Sequence, residues 1–109
     1  MENTDINLDI ADYKTIFSHK GKVIGLIGNC KIDDFIESFD ETLKSSLPNA
    51  KGILINFVIH KEQSLFKINS CVGEIVDLSS MECEIIFGTE IDDSMDLKNV
   101  KYEIIITGL

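Results

Sequence analysis

Arginine is absent from this chain of 109 residues; all ten basic side chains are lysines, set against 19 aspartates and glutamates. The missing guanidinium excludes an arginine finger and bidentate recognition of phosphate. A formal net charge of −9 excludes a basic face for nucleic acid, because the chain as a whole repels phosphates. No apolar run approaches the ~20 residues that span a bilayer, and the acidic, polar start has no signal-peptide character. No C-x-x-C pair occurs: Cys30, Cys71 and Cys83 stand apart, as free thiols that fill apolar space, and a zinc site would have to recruit His19 or His60 from distant segments. The seven glycines are scattered singly, and no window matches a phosphate-cradling loop. No Ser/His/Asp or Cys/His arrangement stands out, and both histidines sit beside lysines at element ends, as solvated loop residues do. The chain therefore holds no nucleotide site, metal site or complete catalytic site of its own.

A hydrophobic fraction of 44% argues for a folded globule, and the length for one domain with a single modest core. Lys22–Gly28 is a short apolar run bounded by glycine, a candidate buried strand. Ile32, Phe35, Ile36, Phe39 and Leu43 recur at spacings of three and four, with acids at Asp33, Asp34, Glu37, Asp40 and Glu41 between them. That spacing predicts an amphipathic helix ended by Pro48 and Asn49, its acidic face solvated rather than built for calcium. Ile53–Ile59 is apolar on both faces apart from Asn56, the mark of a strand inside a sheet. Leu65, Ile68, Val72, Ile75 and Val76 form a second helical stripe, with Ser64 its cap. Glu84–Ile91 and Lys101–Gly108 read as the last two strands, joined by an acidic, turn-rich, hairpin-like return.

The order is short helix, strand, helix, strand, helix, strand, strand. It predicts an α/β (α+β) two-layer sandwich, a four-stranded mixed sheet with two main helices packed on it. Residues 1–21 form an N-terminal loop and short helix, and residues 22–109 the domain proper.

The most informative residues precede the first strand: Asn7-Leu8-Asp9-Ile10-Ala11-Asp12, running into Tyr13-Lys14-Thr15-Ile16-Phe17. Two carboxylates three residues apart share one face of a first helical turn. The plain reading is capping, with Asp9 the N-cap and Asp12 an acid at the positive end of the helix dipole. The second reading is half of a hydrolytic site: two carboxylates can orient an attacking water, but cannot hold a nucleotide without a separate phosphate loop.

Asn-x-Asp-x-Ala-Asp followed by Ser18-His19-Lys20-Gly21-Lys22 resembles the synergy loop, following helix and strand-opening glycine of FtsZ, the tubulin-like cell-division GTPase family. Ala50-Lys51-Gly52-Ile53-Leu54-Ile55-Asn56-Phe57 resembles the family's G-A-x-G-V-L-V-N-I. Ile85-Ile86-Phe87-Gly88-Thr89-Glu90-Ile91-Asp92 resembles I-I-F-G-x-x-I-D, and Ile104-Ile105-Ile106-Thr107-Gly108-Leu109 its closing V-I-A-T-G-F. The four motifs stand in the family's order along nearly the whole chain. The resemblance implies the C-terminal domain of that family, without a counterpart to its GTP-binding half. It further implies that Asp9 and Asp12 act in trans on the GTP of an adjacent FtsZ subunit, with Asn7 contacting that nucleotide site. GTP and magnesium would then enter only through the neighbour, and the chain alone would be no enzyme. Implied partners are an FtsZ subunit and, through open strand edges, a second copy, with no nucleic acid and no direct membrane contact. The implied location is the cytoplasm at the division septum, where the domain would cap or regulate filaments. The alternative is a divergent stand-alone interaction module with no role in hydrolysis. Gly28-Asn29-Cys30-Lys31 departs from the family's G-x-G-x-A-x-G run, the helical region after it is contracted, and Tyr13 replaces a smaller aliphatic residue.

Overall fold

A computed structural model describes residues 8–109. Helix α1 (Ile10–Phe17) is followed by β1 (Ile24–Lys31), α2 (Glu41–Ser46), β2 (Gly52–Ile59), α3 (Leu65–Leu78), β3 (Glu84–Ile91) and β4 (Asn99–Thr107). The strands form one four-stranded sheet in the order β1-β4-β2-β3. β2 and β3 run parallel through the α3 crossover, and β4 is antiparallel to both of its neighbours, β1 and β2. This is the mixed sheet the sequence predicts, with a correction to its last step. The final two strands are antiparallel in direction but are not a hairpin, because β2 lies between them. An interior place for β2 matches its two-sided apolar pattern. Asn56, its lone polar member, donates to Glu90 Oε1 at 3.0 Å across the β2–β3 pair.

The core lies on one face of the sheet. Ile53, Ile55, Phe57 and Ile59 of β2, with Val100, Tyr102, Ile104 and Ile106 of β4, pack under Ile68, Cys71 and Ile75 of α3. α3 begins where Ser64 Oγ accepts from the Lys67 backbone at 3.3 Å, as the sequence predicts. Cys71, rather than Val76, completes its buried stripe, and Val76 is exposed.

The expected helix from Ile32 is not continuous. Residues Ile32–Asp34 and Ile36–Ser38 are separate 3₁₀ turns, Phe39 is extended, and α2 starts anew at Glu41. The cause is local side-chain chemistry. Ser38 Oγ donates to the Phe35 carbonyl at 2.6 Å, and Asp40 Oδ1 accepts from the Leu43 backbone at 2.8 Å. Asp40 thus nucleates a helix start in the middle of the segment, and such residues compete with helical bonding by offering the backbone other partners. Ile32, Phe35, Phe39, Leu43 and Leu47 still reach the core, because successive turns preserve the three-and-four spacing.

β1 is an edge strand and largely exposed, not the buried strand its apolar run suggests. Its two glycines differ in role. A Cβ at Gly25 would meet nothing within 4 Å, whereas at Gly28 it would fall on the ring and hydroxyl of Tyr102. That ring cannot give way. It is buried against Phe35 and Phe39, with centroids 5.2 and 5.6 Å apart, and its hydroxyl is 3.1 Å from Ser38 Oγ. Gly28→Ala is expected to cost about 1–3 kcal/mol through overpacking. Gly25→Ala should cost well under ~1 kcal/mol, and urea midpoints of the two variants at unchanged slope check the contrast.

Candidate functional site

α1 lies against the face of the sheet opposite the core. Its anchors belong to its second half and to the residues after it. Ile16 is fully buried, and its carbonyl accepts from Thr107 Oγ1 at 2.8 Å; the same hydroxyl lies 3.4 Å from the Gly52 carbonyl. His19 Nε2 bonds Glu84 Oε1 at 2.9 Å and so ties the end of the helix to the start of β3, where the sequence suggests only a solvated histidine. A Cβ on Gly52 would strike Thr107 Oγ1 and the His19 ring, so glycine there permits the close approach. Tyr13 donates to Glu103 Oε1 at 3.4 Å. Burial and the neighbouring Glu103 carboxylate push its phenol above the usual range.

The first turn bears the two carboxylates that the sequence singles out. Asp9 is the N-cap, with extended backbone; its Oδ1 accepts from the Asp12 N–H at 3.1 Å, and Asp12 Oδ2 accepts from the Asp9 N–H at 3.0 Å. The box is reciprocal, so each carboxylate commits one oxygen to the helix end and keeps a second. Asp9 is exposed and Asp12 half-exposed. The two acids therefore sit together on the surface, at one end of a helix whose other end is fastened to the sheet. Asn7, the third predicted residue, lies outside the described residues. The sequence pairs Asp9 with Asp12 but gives no sign of the supports at Thr107, Glu84 and Glu103, which lie 65 to 91 residues beyond Ile16, His19 and Tyr13, the residues they hold.

Nothing else described forms a competing reaction centre. Among the described residues no three His, Cys, Asp or Glu side chains gather as a metal ion would require. His60 Nδ1 is occupied by the Glu62 backbone N–H at 3.0 Å. All three thiols are free, and burial raises each. Cys71 goes furthest, from its ordinary 9.0 up to about 12, first through burial and then through Glu74 and other nearby acids. A raised pKa in the folded chain means that this contribution to stability is fully present below the unfolded value and falls as pH climbs from 9.0 toward about 12. The expected loss is ~1.4 kcal/mol per pH unit for one proton. Urea midpoints at about pH 8 and about pH 10.5 should therefore diverge, and less so in Cys71→Ala.

A family model described as the FtsZ family, C-terminal domain, matches residues 36–109. That span covers α2 to the end of β4 and stops short of α1. Two curated relatives align over nearly all of the chain. The cell division protein FtsZ of Magnetospirillum gryphiswaldense is 31% identical over 95% of the chain, and that of Wolbachia pipientis is also 31% identical over 95%. The chain spans 20% of the first and 35% of the second. Among solved structures, an empty FtsZ dimer from M. jannaschii superimposes with a TM-score of 0.74 at 24% identity, covering 98% of this chain and 33% of that one. GDP-bound CetZ1 from Haloferax volcanii gives 0.64 at 14% identity, over 94% of this chain and 34% of its own. Both share the fold.

Proposed function

The chain belongs to the FtsZ family, whose C-terminal domain it represents, and on that premise we propose that it docks on an FtsZ subunit and presents Asp9 and Asp12 to that subunit's GTP. The two acids act as a pair that orients the attacking water, and Asn7 contacts the nucleotide site beside them. GTP and magnesium belong to the partner. The observation that carries this reading is the placement of the acids. They share one exposed helical turn, and each keeps a carboxylate oxygen beyond the one used in capping. Phosphoryl transfer asks little more of such residues than position and negative charge near the incoming water. The fastened second half of α1 supplies the position. The site of action is the division septum, on the cytoplasmic side.

These 109 residues hold no phosphate-cradling loop, so when added as a separate polypeptide they give the subunit they dock on no new nucleotide face, and growth at that end stops. Substoichiometric amounts are therefore expected to shorten FtsZ filaments, read as a fall in light scattering and in contour length by electron microscopy. Filaments of unchanged length at equimolar chain would overturn the docking step.

One observation favours a second reading, an interaction module without a part in hydrolysis. The reciprocal capping box gives both carboxylates a structural use, and a cap needs no neighbour. The two readings separate on the charge rather than the shape of these side chains.

A further inference from the structure

The two edges of the sheet are unlike. β3 begins at Glu84, carries Glu90 and runs into Asp92 and Asp93. β1 carries no acid, and none occurs from Lys20 through Ile32, in a chain with 19 of them. Within β1 and just before it, Val23, Leu26 and Ile27 are 45%, 37% and 67% exposed. β4 occupies one side of the strand, and among the described residues no backbone hydrogen bond reaches the other. Gly25 leaves open space where a side chain would stand. Charges on an edge strand are the usual guard against pairing with another chain. β3 has such charges near both of its ends, whereas in β1 the one charge is Lys31 at its last position, and Ile24 through Cys30 carry none.

We propose that β1 pairs with β1 of a second copy of this chain, antiparallel about a two-fold axis normal to the sheet, joining two sheets into one. The charge pattern selects this occupant. Lys20 and Lys22 precede the strand, Lys31 ends it, and the exposed acids Asp33, already paired with Lys67, and Asp34 follow it. Antiparallel pairing about the middle of the strand sets Lys20 of each copy beside Asp34 of the other, twice by symmetry, and Lys31 beside Val23 rather than beside a lysine. Two copies, each at −9, repel one another overall, and an acid-free stretch from Lys20 through Ile32 lowers that opposition at this edge. An axis normal to the sheet keeps both α3 faces on one side, so residues of equal alternation must oppose each other. Centring it on Ile27, the most exposed side chain of the strand, puts that residue against its own copy. A two-fold contact of this kind closes on itself and makes dimers. It neither requires nor extends the docking on an FtsZ subunit proposed above.

Eight residues of strand pairing bury less than a standard interface, so a weak dimer is expected, with Kd of about 10–100 μM. Sedimentation equilibrium of the full chain across that range should show monomer and dimer only. Ile27→Glu should raise Kd at least ~10-fold by setting two carboxylates face to face on a bare edge, while Met81→Glu, far along the chain, leaves it unchanged. Far-ultraviolet circular dichroism checks that the variant is folded. Independently, Ile27→Cys in a Cys30→Ser, Cys83→Ser background, treated with oxidised glutathione, should form a cross-linked dimer, the two thiols yielding their electrons and protons to the glutathione disulfide. A chain monomeric throughout, a dimer indifferent to Ile27→Glu that does not cross-link at position 27, or an open series of larger species from β1 pairing on β3, would each overturn the proposal.

Discussion

Phe35→Ala is expected to remove about 3–5 kcal/mol of stability, a large share of the ~5–15 kcal/mol that holds a domain of this size. Phe35 is 1% exposed and stands at the centre of an aromatic cluster. Its ring lies 5.0 Å from Phe39, 5.6 Å from Phe57 and 5.2 Å from Tyr102, the contacts to Phe39 and Tyr102 being edge-on. Such pairs add to simple burial of area. The loss is not confined to the ring. Phe35 lies between two 3₁₀ turns rather than inside a helix, so few backbone bonds hold this stretch and side-chain anchorage carries it. With Phe35 gone, Phe39, Phe57 and Tyr102 lose their common neighbour, and the stretch between β1 and α2 should open before the sheet does. A fall in the thermal midpoint of about 15 °C or more by circular dichroism, with hydrogen exchange fastest over residues 32–40, would meet the expectation. A fall below ~5 °C would show that the cluster contributes little.

The same segment shows what the sequence does and does not carry. The spacing of Ile32, Phe35, Phe39 and Leu43 identifies the residues that reach the core. It does not reveal that the backbone between them is broken, because consecutive turns and one helix present the same residues to the same face. The break is written instead in Ser38 and Asp40, whose side chains bond the backbone locally, a signal that the strong periodicity hides. β1 has a related ambiguity. An apolar run tells that a strand forms but not whether a neighbour covers both its sides, and the place of β4 between β1 and β2 is a matter of topology. β2, by contrast, is legible outright, since only an interior strand tolerates apolar residues on both faces. For the candidate site, the pairing of Asp9 with Asp12 follows from spacing alone. The supports that fix α1 do not, because Thr107, Glu84 and Glu103 meet it only after the sheet has formed.

The second large effect concerns those two acids. Removing both charges while keeping both shapes should abolish the action of this chain on a neighbour's GTP and leave the chain itself intact. Asn is as good an N-cap as Asp, and its carbonyl oxygen accepts from a backbone N–H in the same way. Asp9→Asn with Asp12→Asn therefore keeps the helix start, and the thermal midpoint should move by no more than ~3 °C. The amides lose the negative charge that polarises water. The loss in a trans hydrolysis rate is expected to be about 100-fold, the scale seen when a positioned proton-accepting group is removed. Alanine at both positions confounds the two roles, since it removes the cap at ~1 kcal/mol each as well as the charge. The amide pair separates them.

The decisive measurement is the single-turnover rate of GTP hydrolysis by full-length FtsZ saturated with this chain, wild type against the Asp9→Asn, Asp12→Asn pair, with binding of both confirmed by co-sedimentation. The account predicts equal binding, faster hydrolysis with the wild-type chain, and a rate with the amide pair no higher than that of FtsZ without it. Equal stimulation by both chains would show that these carboxylates serve only to start a helix.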